Sequence, residues 1–458
     1  MLADLLRRFS RSREGNVAIT FALALVPAIF LIGMGLDFSG AIQKRSKLNA
    51  AADAAALAAV TPSMMAQSAT AAKTAATNMF SAVAAGASGV TNLNPSISIN
   101  STGSGLTRTA VVSYTAGSVN NFPNFLGQTN WSISGTSTAT ATTPPNIDFY
   151  LLLDNSPSMD LPATSAGITA MITATKNAPS NGANANGCAF ACHESNPSAD
   201  NLGNPNGIDN YQLAINLGVT TRMQNLNSAT QSLMTTATQM EQQNNVSCPG
   251  SQGCYRMAIY TFNTGGINTI QTLTSNLTTA QNSAKNIDVL LVCQNNYLSC
   301  NNNNNDTDTD FSTAMQQIYN GPMTTNGPSG TGSSTSTPQQ VLFLVSDGVD
   351  DNNSGTCNQP LDGTRCQQPV STTWCTTMKN KGILVAVLYT SYLPLPASGV
   401  GSNSWYNQWI APFQSQIGPN MQSCASPGLF FQVTTDGDIT AAMQTLFQQA
   451  VATARLSN

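Results

Sequence analysis

From Asn16 to Leu36 the chain runs NVAITFALALVPAIFLIGMGL, 21 residues without one ionisable side chain. As a helix this stretch is about 30 Å long, the thickness of a bilayer's hydrocarbon core, and it has no polar face. A transmembrane helix is therefore predicted over 16–37, with Pro27 tolerable inside it. The pattern then turns to alanine. FSGAIQKRSKLNAAADAAALAAV and PSMMAQSATAAKTAATNMFSAVAAG suit two helices, with Pro62 placed where the second would begin. Between 88 and 143, SISINST, TAVVSYTA and WSISGTSTATAT alternate in the manner of strands and predict a small sheet.

Thr142, Thr143, Pro144 and Pro145 make a short stiff linker. Beyond it, apolar runs alternate with helical patterns, as in a parallel sheet covered by helices. NIDFYLLLD (146–154), RMAIYTF (256–262), QVLFLVSD (340–347), ILVAVLYT (383–390) and LFFQVT (429–434) read as strands. Asn210 to Gln243 reads as one long helix, and GDITAAMQTLFQQAVATARL as a closing amphipathic helix. Asn/Gly/Ser/Cys-rich insertions at 177–207, 293–306 and 351–372 read as surface loops held by disulfides. The expected organisation is a basic tail (1–15), a membrane anchor (16–37), an Ala-rich helix with a small sheet (38–143) and an α/β domain (144–458).

Charge gives the chain a direction. Only 8% of its 458 residues are charged, against about 25% in ordinary soluble domains. Ser, Thr, Asn and Gln therefore supply the polar surface. Seven of the 17 basic residues lie within the first 47 positions, four of them (Arg7, Arg8, Arg11, Arg13) ahead of the apolar run. That bias keeps the N-terminus cytoplasmic and exports the long remainder, as in a single-pass inner-membrane protein with its bulk in the periplasm or at the cell surface. A cleaved secretory signal has a shorter apolar core, usually about 7–15 residues. Beyond Lys47 there are 10 basic and 18 acidic residues, which excludes a nucleic-acid binder.

All ten cysteines lie between Cys188 and Cys424, an even number in an exported segment, and so read as disulfides in an oxidising compartment. Spacing leaves the pairing open. The locally close candidates are Cys188–Cys192, Cys248–Cys254, Cys293–Cys300 and Cys357–Cys366, which would leave Cys375 and Cys424 to pair at long range.

An apolar helix leading into an Ala-rich helix and a small sheet is a pilin-like layout. REGNVAITFALALVPAIFLIGMGLDFSGAIQKRSKLNAAADAAALAA closely resembles the N-terminal segment of TadG-like proteins of tight-adherence (Flp) pilus systems, most specifically from LDFSG to AADAAALAA. The resemblance implies an envelope protein associated with pilus assembly, with pilus or envelope proteins as partners. One position departs from prepilin processing, which cuts after a Gly and favours a Glu five residues on: Thr20 stands fifth after Gly15.

A second resemblance lies further along. YLLLD ends in Asp154-Asn155-Ser156-Pro157-Ser158-Met159, followed at a distance by Thr309 in DTDTDFSTAMQQI and by Asp347 in VLFLVSDG. This is similar to a von Willebrand factor A domain with its metal-ion-dependent adhesion site, Pro157 standing where Gly is common. The resemblance implies a cation held by Asp154, Ser156, Ser158, Thr309 and Asp347, the hydroxyls binding directly and the carboxylates partly through water. Spacing by two sets the first three on one side of a loop, at the edge of an open α/β sheet where ligands bind. A ring of oxygens with few negative charges suits a hard cation that keeps waters, above all Mg²⁺, with Ca²⁺ or Mn²⁺ as the other fits. An open coordination position would accept a partner's carboxylate. Thr307 is the alternative to Thr309, which is preferred because Ala314 and Met315 then begin a helix at the usual offset. Together these features imply an α/β chain: an N-terminal transmembrane helix and pilin-like α+β region, then a doubly wound von Willebrand factor A (Rossmann-like) domain with disulfide-rich insertions.

Other readings compete locally. Ser156 and Ser158 could serve only as caps for the next turn. Asp306, Asp308 and Asp310 resemble a calcium loop, but Phe311 and Gln317 stand where that loop needs Gly and Glu, so a solvated acidic loop is expected. Cys188-Ala-Phe-Ala-Cys192-His193 fits a structural disulfide first, then a Cys/His metal site or a variant haem attachment. His193 is the only histidine, so a hydrolase using Ser156 or Ser158 has one candidate imidazole base and lacks a G-x-S-x-G elbow. A binding protein, not an enzyme, is therefore expected. A structural pilus-assembly scaffold without cation-dependent binding is its rival.

Overall fold

The computed structural model describes residues 15–65, 67–102, 107–122, 129–176, 187–197, 207–243, 254–293, 308–353, 357, 361–362, 365–391, 406–434 and 436–456. The chain divides into two compact units, Met1–Thr143 and Pro144–Asn458.

In the first unit one helix, α1, runs without a break from Gly15 to Ala59 and contains Pro27. Its N-terminal part exposes Val17, Ile19, Phe21, Leu23, Ile29, Leu31 and Ile32. Burial begins at Gly33 and recurs at Asp37, Ala41, Leu48, Ala51, Ala52, Ala55, Ala56 and Ala59, the i, i+3/i+4 stripe of a helix that has found a partner. That partner includes helix α2 (Ala69–Ala84), whose Ala72, Ala76, Phe80 and Ala84 are buried. Alanine on both helices lets their backbones approach closely. A short helix, Pro62–Met65, occupies the turn, and the long second helix begins only at Ala69, where Ser68 Oγ accepts from Ala71 N at 3.1 Å. The Pro62 start is thus a single turn.

The expected small sheet is antiparallel, in the order β1 (Val90–Thr102), β2 (Thr107–Val119), β3 (Asn130–Thr142). Alternate residues of the central strand, among them Ala110, Val112, Tyr114 and Ala116, are buried in one core with α1 and α2. Arg108, also buried, donates to the carbonyls of Met64 and Gln67 and so ties the inter-helix turn to the sheet.

The second unit is a doubly wound α/β domain. Its main sheet has six strands in the order β12-β11-β7-β4-β5-β6: β4 (Ile147–Asp154), β5 (Tyr255–Asn263), β6 (Gly266–Thr274), β7 (Gln339–Ser346), β11 (Leu384–Thr390) and β12 (Phe430–Val433). All neighbours are parallel except the edge pair β5–β6. Every residue of β4 and β7 is buried, as continuous apolar runs require when helices cover both faces. Phe149, Leu151 and Leu153 join one core with helices Arg222–Gln243 and Ile439–Leu456; Tyr150 and Leu152 join the other with helices Phe311–Ile318 and Gln414–Cys424. The chain passes from β4 to β5 on one side and later to β7 on the other. The switch point, where a ligand crevice opens, therefore lies between the carboxyl ends of β4 and β7.

Three expectations change. The helix read over Asn210–Gln243 is two, Asn210–Asn216 and Arg222–Gln243, because Gly218 adopts φ +68° and turns the chain. GINTIQTLT, not read as a strand, is β6, folded back by the Thr264-Gly265 turn. The 351–372 stretch is no surface loop: β8 (Val349–Asn352), β9 (Leu361–Asp362) and β10 (Arg365–Pro369) form a second sheet with Asp350, Asp351 and Asn352 buried.

Two disulfides join Cys357 to Cys366 and Cys375 to Cys424. Cys254 and Cys293 are also disulfide-bonded; Cys248 and Cys300 lie outside the described residues. Cys188 and Cys192 do not bond to each other, contrary to the first reading of that motif: Cys188 Sγ is a thiol donor to Phe190 O at 3.7 Å.

Candidate metal centre

The last residue of β4 and the first beyond β7 bring two fully buried carboxylates, Asp154 and Asp347, to adjacent strand ends. Asp154 Oδ1 accepts from Ser156 N at 3.0 Å and from Ser156 Oγ at 2.7 Å; Oδ2 accepts from Ser346 Oγ at 2.5 Å. The Ser156 and Ser158 hydroxyls are 3.0 Å apart. Ser158 in turn lies close enough to Asp347 for its hydroxyl to lower that carboxyl's pKa. Four of the five expected ligands thus form one cluster.

Ser156 precedes the turn Pro157–Asp160 as a cap would, yet its side chain makes no capping hydrogen bond. The hydroxyl faces Asp154 instead.

Thr309, the fifth expected ligand, is buried but makes no hydrogen bond to that cluster. Its backbone pairs with Asp351, N to O at 3.0 Å and O to N at 2.8 Å, and Asp351 is clamped by Arg365. Of the acidic residues expected in a solvated loop, the two described, Asp308 and Asp310, are half-buried and engaged. Asp310 caps helix Phe311–Ile318 by accepting from Thr313 N at 2.8 Å, and Asp308 lies 3.9 Å from Arg365. Ala314 and Met315 are buried in that helix, one turn beyond Thr309. Asp306 and Thr307 lie outside the described residues.

Burial disfavours charge on both carboxylates. Asp154 is pushed up to about 7, first by burial and then by Asp347, against the hydrogen bonds from Ser346 and Ser156. Asp347 is raised by burial, against Ser158, the Val349 amide and Arg222. Among the described residues, Asp347 Oδ2 has no hydrogen-bond partner although it is buried. An unmade bond at a buried acceptor costs about 1–3 kcal/mol, and more for a charged one. Two mutually repelling carboxylates, an orphan oxygen and three serine hydroxyls are a donor set that a hard cation would satisfy. No group of three or more His, Cys, Asp or Glu among the described residues could hold a metal, so any cation here rests on the hydroxyls as well.

Sequence reasoning missed two members. Ser346, directly before Asp347, holds Asp154 and also accepts from Gly348 N at 2.9 Å. The signal was the SDG triplet itself. Gly348 has φ +78°, and a Cβ there would meet Met421 at 2.7 Å, so glycine is required where the chain leaves the site. Arg222 had no local signal; it heads a helix and is buried, donating to Ser391 O at 3.0 Å.

Family comparison identifies the other end of the chain. Residues 15–78 match the family described as putative Flp pilus-assembly TadE/G-like. The N-terminal segment is TadE/G-like. No curated protein matches the chain. Among solved structures it is similar to the vWF domain of the type V pili tip protein Mfa5 from Porphyromonas gingivalis (10% identity, 68% of this chain, 97% of that one, TM-score 0.35). It is also similar to the PilB minor pilin from Streptococcus sanguinis (13%, 80% and 79%, TM-score 0.33) and the pilus adhesin SpaC from Lactobacillus rhamnosus GG (10%, 80% and 34%, TM-score 0.32). At such scores these likenesses carry no argument about the site. The TadE/G-like segment includes all of the apolar run and the Ala-rich face of α1.

Away from the carboxylates, His193 Nδ1 pairs with Asp209 Oδ2 at 2.8 Å, and its ring lies against Tyr211, centroids 4.5 Å apart. The hydrogen bond to Asp209 raises the His193 pKa above its ordinary value, against burial. Burial would raise Asp209, but hydrogen bonds from His193 and the Glu194 and Gln212 amides bring it below its ordinary value. The raised imidazole pKa stabilises the fold at pH below the ordinary value of about 6.5, and this contribution is lost as pH rises through the folded value. Because His193 is the only histidine, one imidazole NMR signal reports the pair. Its midpoint is expected above 6.5 and should fall in Asp209→Asn; an unchanged midpoint in that variant would refute the pairing.

Proposed function

We propose that this protein is a single-pass inner-membrane component of a tight-adherence pilus system, N-terminus cytoplasmic and bulk exported. Its A domain binds a protein partner, a pilus or envelope component, through a cation. Asp154, Ser156, Ser158, Thr309 and Asp347 would hold Mg²⁺, and an open coordination position would take a carboxylate from the partner. The observation that carries this reading is the buried Asp347 Oδ2, without a hydrogen-bond partner among the described residues, on a carboxyl that Ser158 links to the Asp154–Ser156 pair. When bound, the cation would supply a fixed positive centre at the edge of the sheet; the chain's own residues orient it and exclude water from its buried side. The TadE/G-like segment supports the pilus setting, and the exposed apolar run of α1 supports the anchor.

The protein acts as a binder rather than a hydrolase. Ser156 Oγ is committed to Asp154, and the single histidine is itself committed to Asp209. The test is binding of the full chain to purified pilus or envelope material with and without a chelator. Chelator should abolish binding, and Asp154→Ala should do the same. Binding unchanged in both would leave a scaffold that packs without a cation.

A further inference from the structure

The TadE/G-like helix does not meet its sheet where its apolar run ends. Contact is already made at Gly33, three residues earlier, where a Cβ would lie 2.9 Å from the Phe122 ring. At 1.5 Å per residue, Phe122 therefore sits about 5 Å inside the level of Leu36. The next turn repeats the pattern. Asp37 accepts from Asn121 N at 2.7 Å and from Phe122 N at 3.0 Å, and Phe38 packs edge-on against Trp131 with ring centroids 5.8 Å apart.

These rings are not buried. Phe38 is 52% exposed, Phe122 51% and Trp131 36%, with Val119 beside them at 39%. One or two turns further along α1 come the cations. Lys44 donates to Ser118 Oγ at 3.0 Å and Val119 O at 3.1 Å, Arg45 donates to Ser134 O at 3.1 Å, and Lys47 is exposed. Along the helix axis the order is uncharged helix, exposed aromatic ring set, then three basic residues. Aromatic side chains concentrate where hydrocarbon gives way to headgroups, and basic chains concentrate among the headgroup phosphates. Irregular backbone tolerates that depth only when its polar groups are satisfied, and the Asp37 carboxylate satisfies the amide N–H groups of Asn121 and Phe122.

We propose that the end of this sheet, carrying Phe122 and Trp131 beside Phe38, is a lipid-contacting surface seated in the bilayer interface. The proposal rests on residues 16–36 crossing the membrane, and continuity with that run commits the surface to lipid rather than protein. The consequence is mechanical: α1 and its sheet meet the membrane as one seated body, which fixes the depth of the helix.

The full chain is to be reconstituted into phosphatidylcholine vesicles containing lipid brominated near the headgroup end of the acyl chain, or near its methyl end. Bromine quenches only tryptophan that it touches. Trp131 is one of four tryptophans, so headgroup-end bromine should remove up to about a quarter of the emission through it, and methyl-end bromine less. Trp131→Phe should lose that quenching, and adding Phe122→Trp should restore it with greater weight on the deeper probe. Equal quenching of wild type and Trp131→Phe, with the chain still in the vesicles after a carbonate wash, overturns the lipid surface and leaves the anchor standing. Release of the chain by carbonate overturns the anchor, and the surface with it.

Discussion

Mg²⁺ added to chelator-treated protein is expected to raise the unfolding temperature of the second unit, and Asp347→Asn is expected to abolish that rise. The site holds two fully buried carboxylates on adjacent strand ends, both with raised pKa values. Without a cation each destabilises the other's charged form. A cation that binds only the folded state stabilises it by mass action, by about 2.7 kcal/mol at a hundredfold excess over its dissociation constant. For a domain of this size that is roughly 5 °C. Asp347→Asn keeps the shape, removes one charge and lifts the repulsion. The variant should therefore be no less stable than wild type in chelator, while gaining nothing from Mg²⁺. Ser158→Ala should lose part of the response and retain the fold, because Ser158 sits on the turn Pro157–Asp160 and belongs to neither core. An equal temperature rise in wild type and Asp347→Asn, read by differential scanning calorimetry, would falsify the assignment of the cation to this cluster.

Periodicity made much of the second unit legible in advance. The strands β4, β5, β7, β11 and β12 could be read from their apolar runs: a parallel strand covered on both faces needs an unbroken one, as FYLLL is in β4 and VLFLV in β7. β6 was hidden by the opposite cause. An antiparallel edge strand with one face in solvent can be built from GINTIQTLT, whose polar residues look like a loop's. The helix break at Gly218 was invisible as periodicity because the apolar rhythm resumes after it. For the site, the D-x-S-x-S spacing marks three residues on one loop. Nothing local marks Arg222, whose relevance comes only from folding a helix start beneath another strand's end. Nor could spacing show that Asp350 and Asp351 are buried, since an Asn/Asp/Gly-rich run normally stays in water. Burial pushes Asp350 up to about 7, while its Oδ1 accepts from Phe311 N at 3.0 Å. Those residues belong to a small sheet whose backbone also pairs with Thr309.

Removing the Cys375–Cys424 disulfide is expected to be strongly destabilising. The two residues are 49 apart and head and close two helices, Thr373–Asn380 and Gln414–Cys424, that cover the same face of the sheet. Cross-linking a loop of that length takes about 4 kcal/mol of entropy from the unfolded chain, whereas the nine-residue Cys357–Cys366 loop takes about 2.5 kcal/mol. Both cysteines of the longer bridge are fully buried, so the double variant Cys375→Ala/Cys424→Ala also gives up a little packing. Its unfolding midpoint in urea should fall further than that of Cys357→Ala/Cys366→Ala, and its melting temperature by roughly 7 °C. The reverse order would mean that the short bridge constrains more than its own loop. This dependence also bears on where the protein can work. A chain with 8% charged residues has few ion pairs to offset a lost cross-link, and surface pairs contribute only about 0–1 kcal/mol each. Folding in a reducing compartment should therefore leave the second unit measurably weaker.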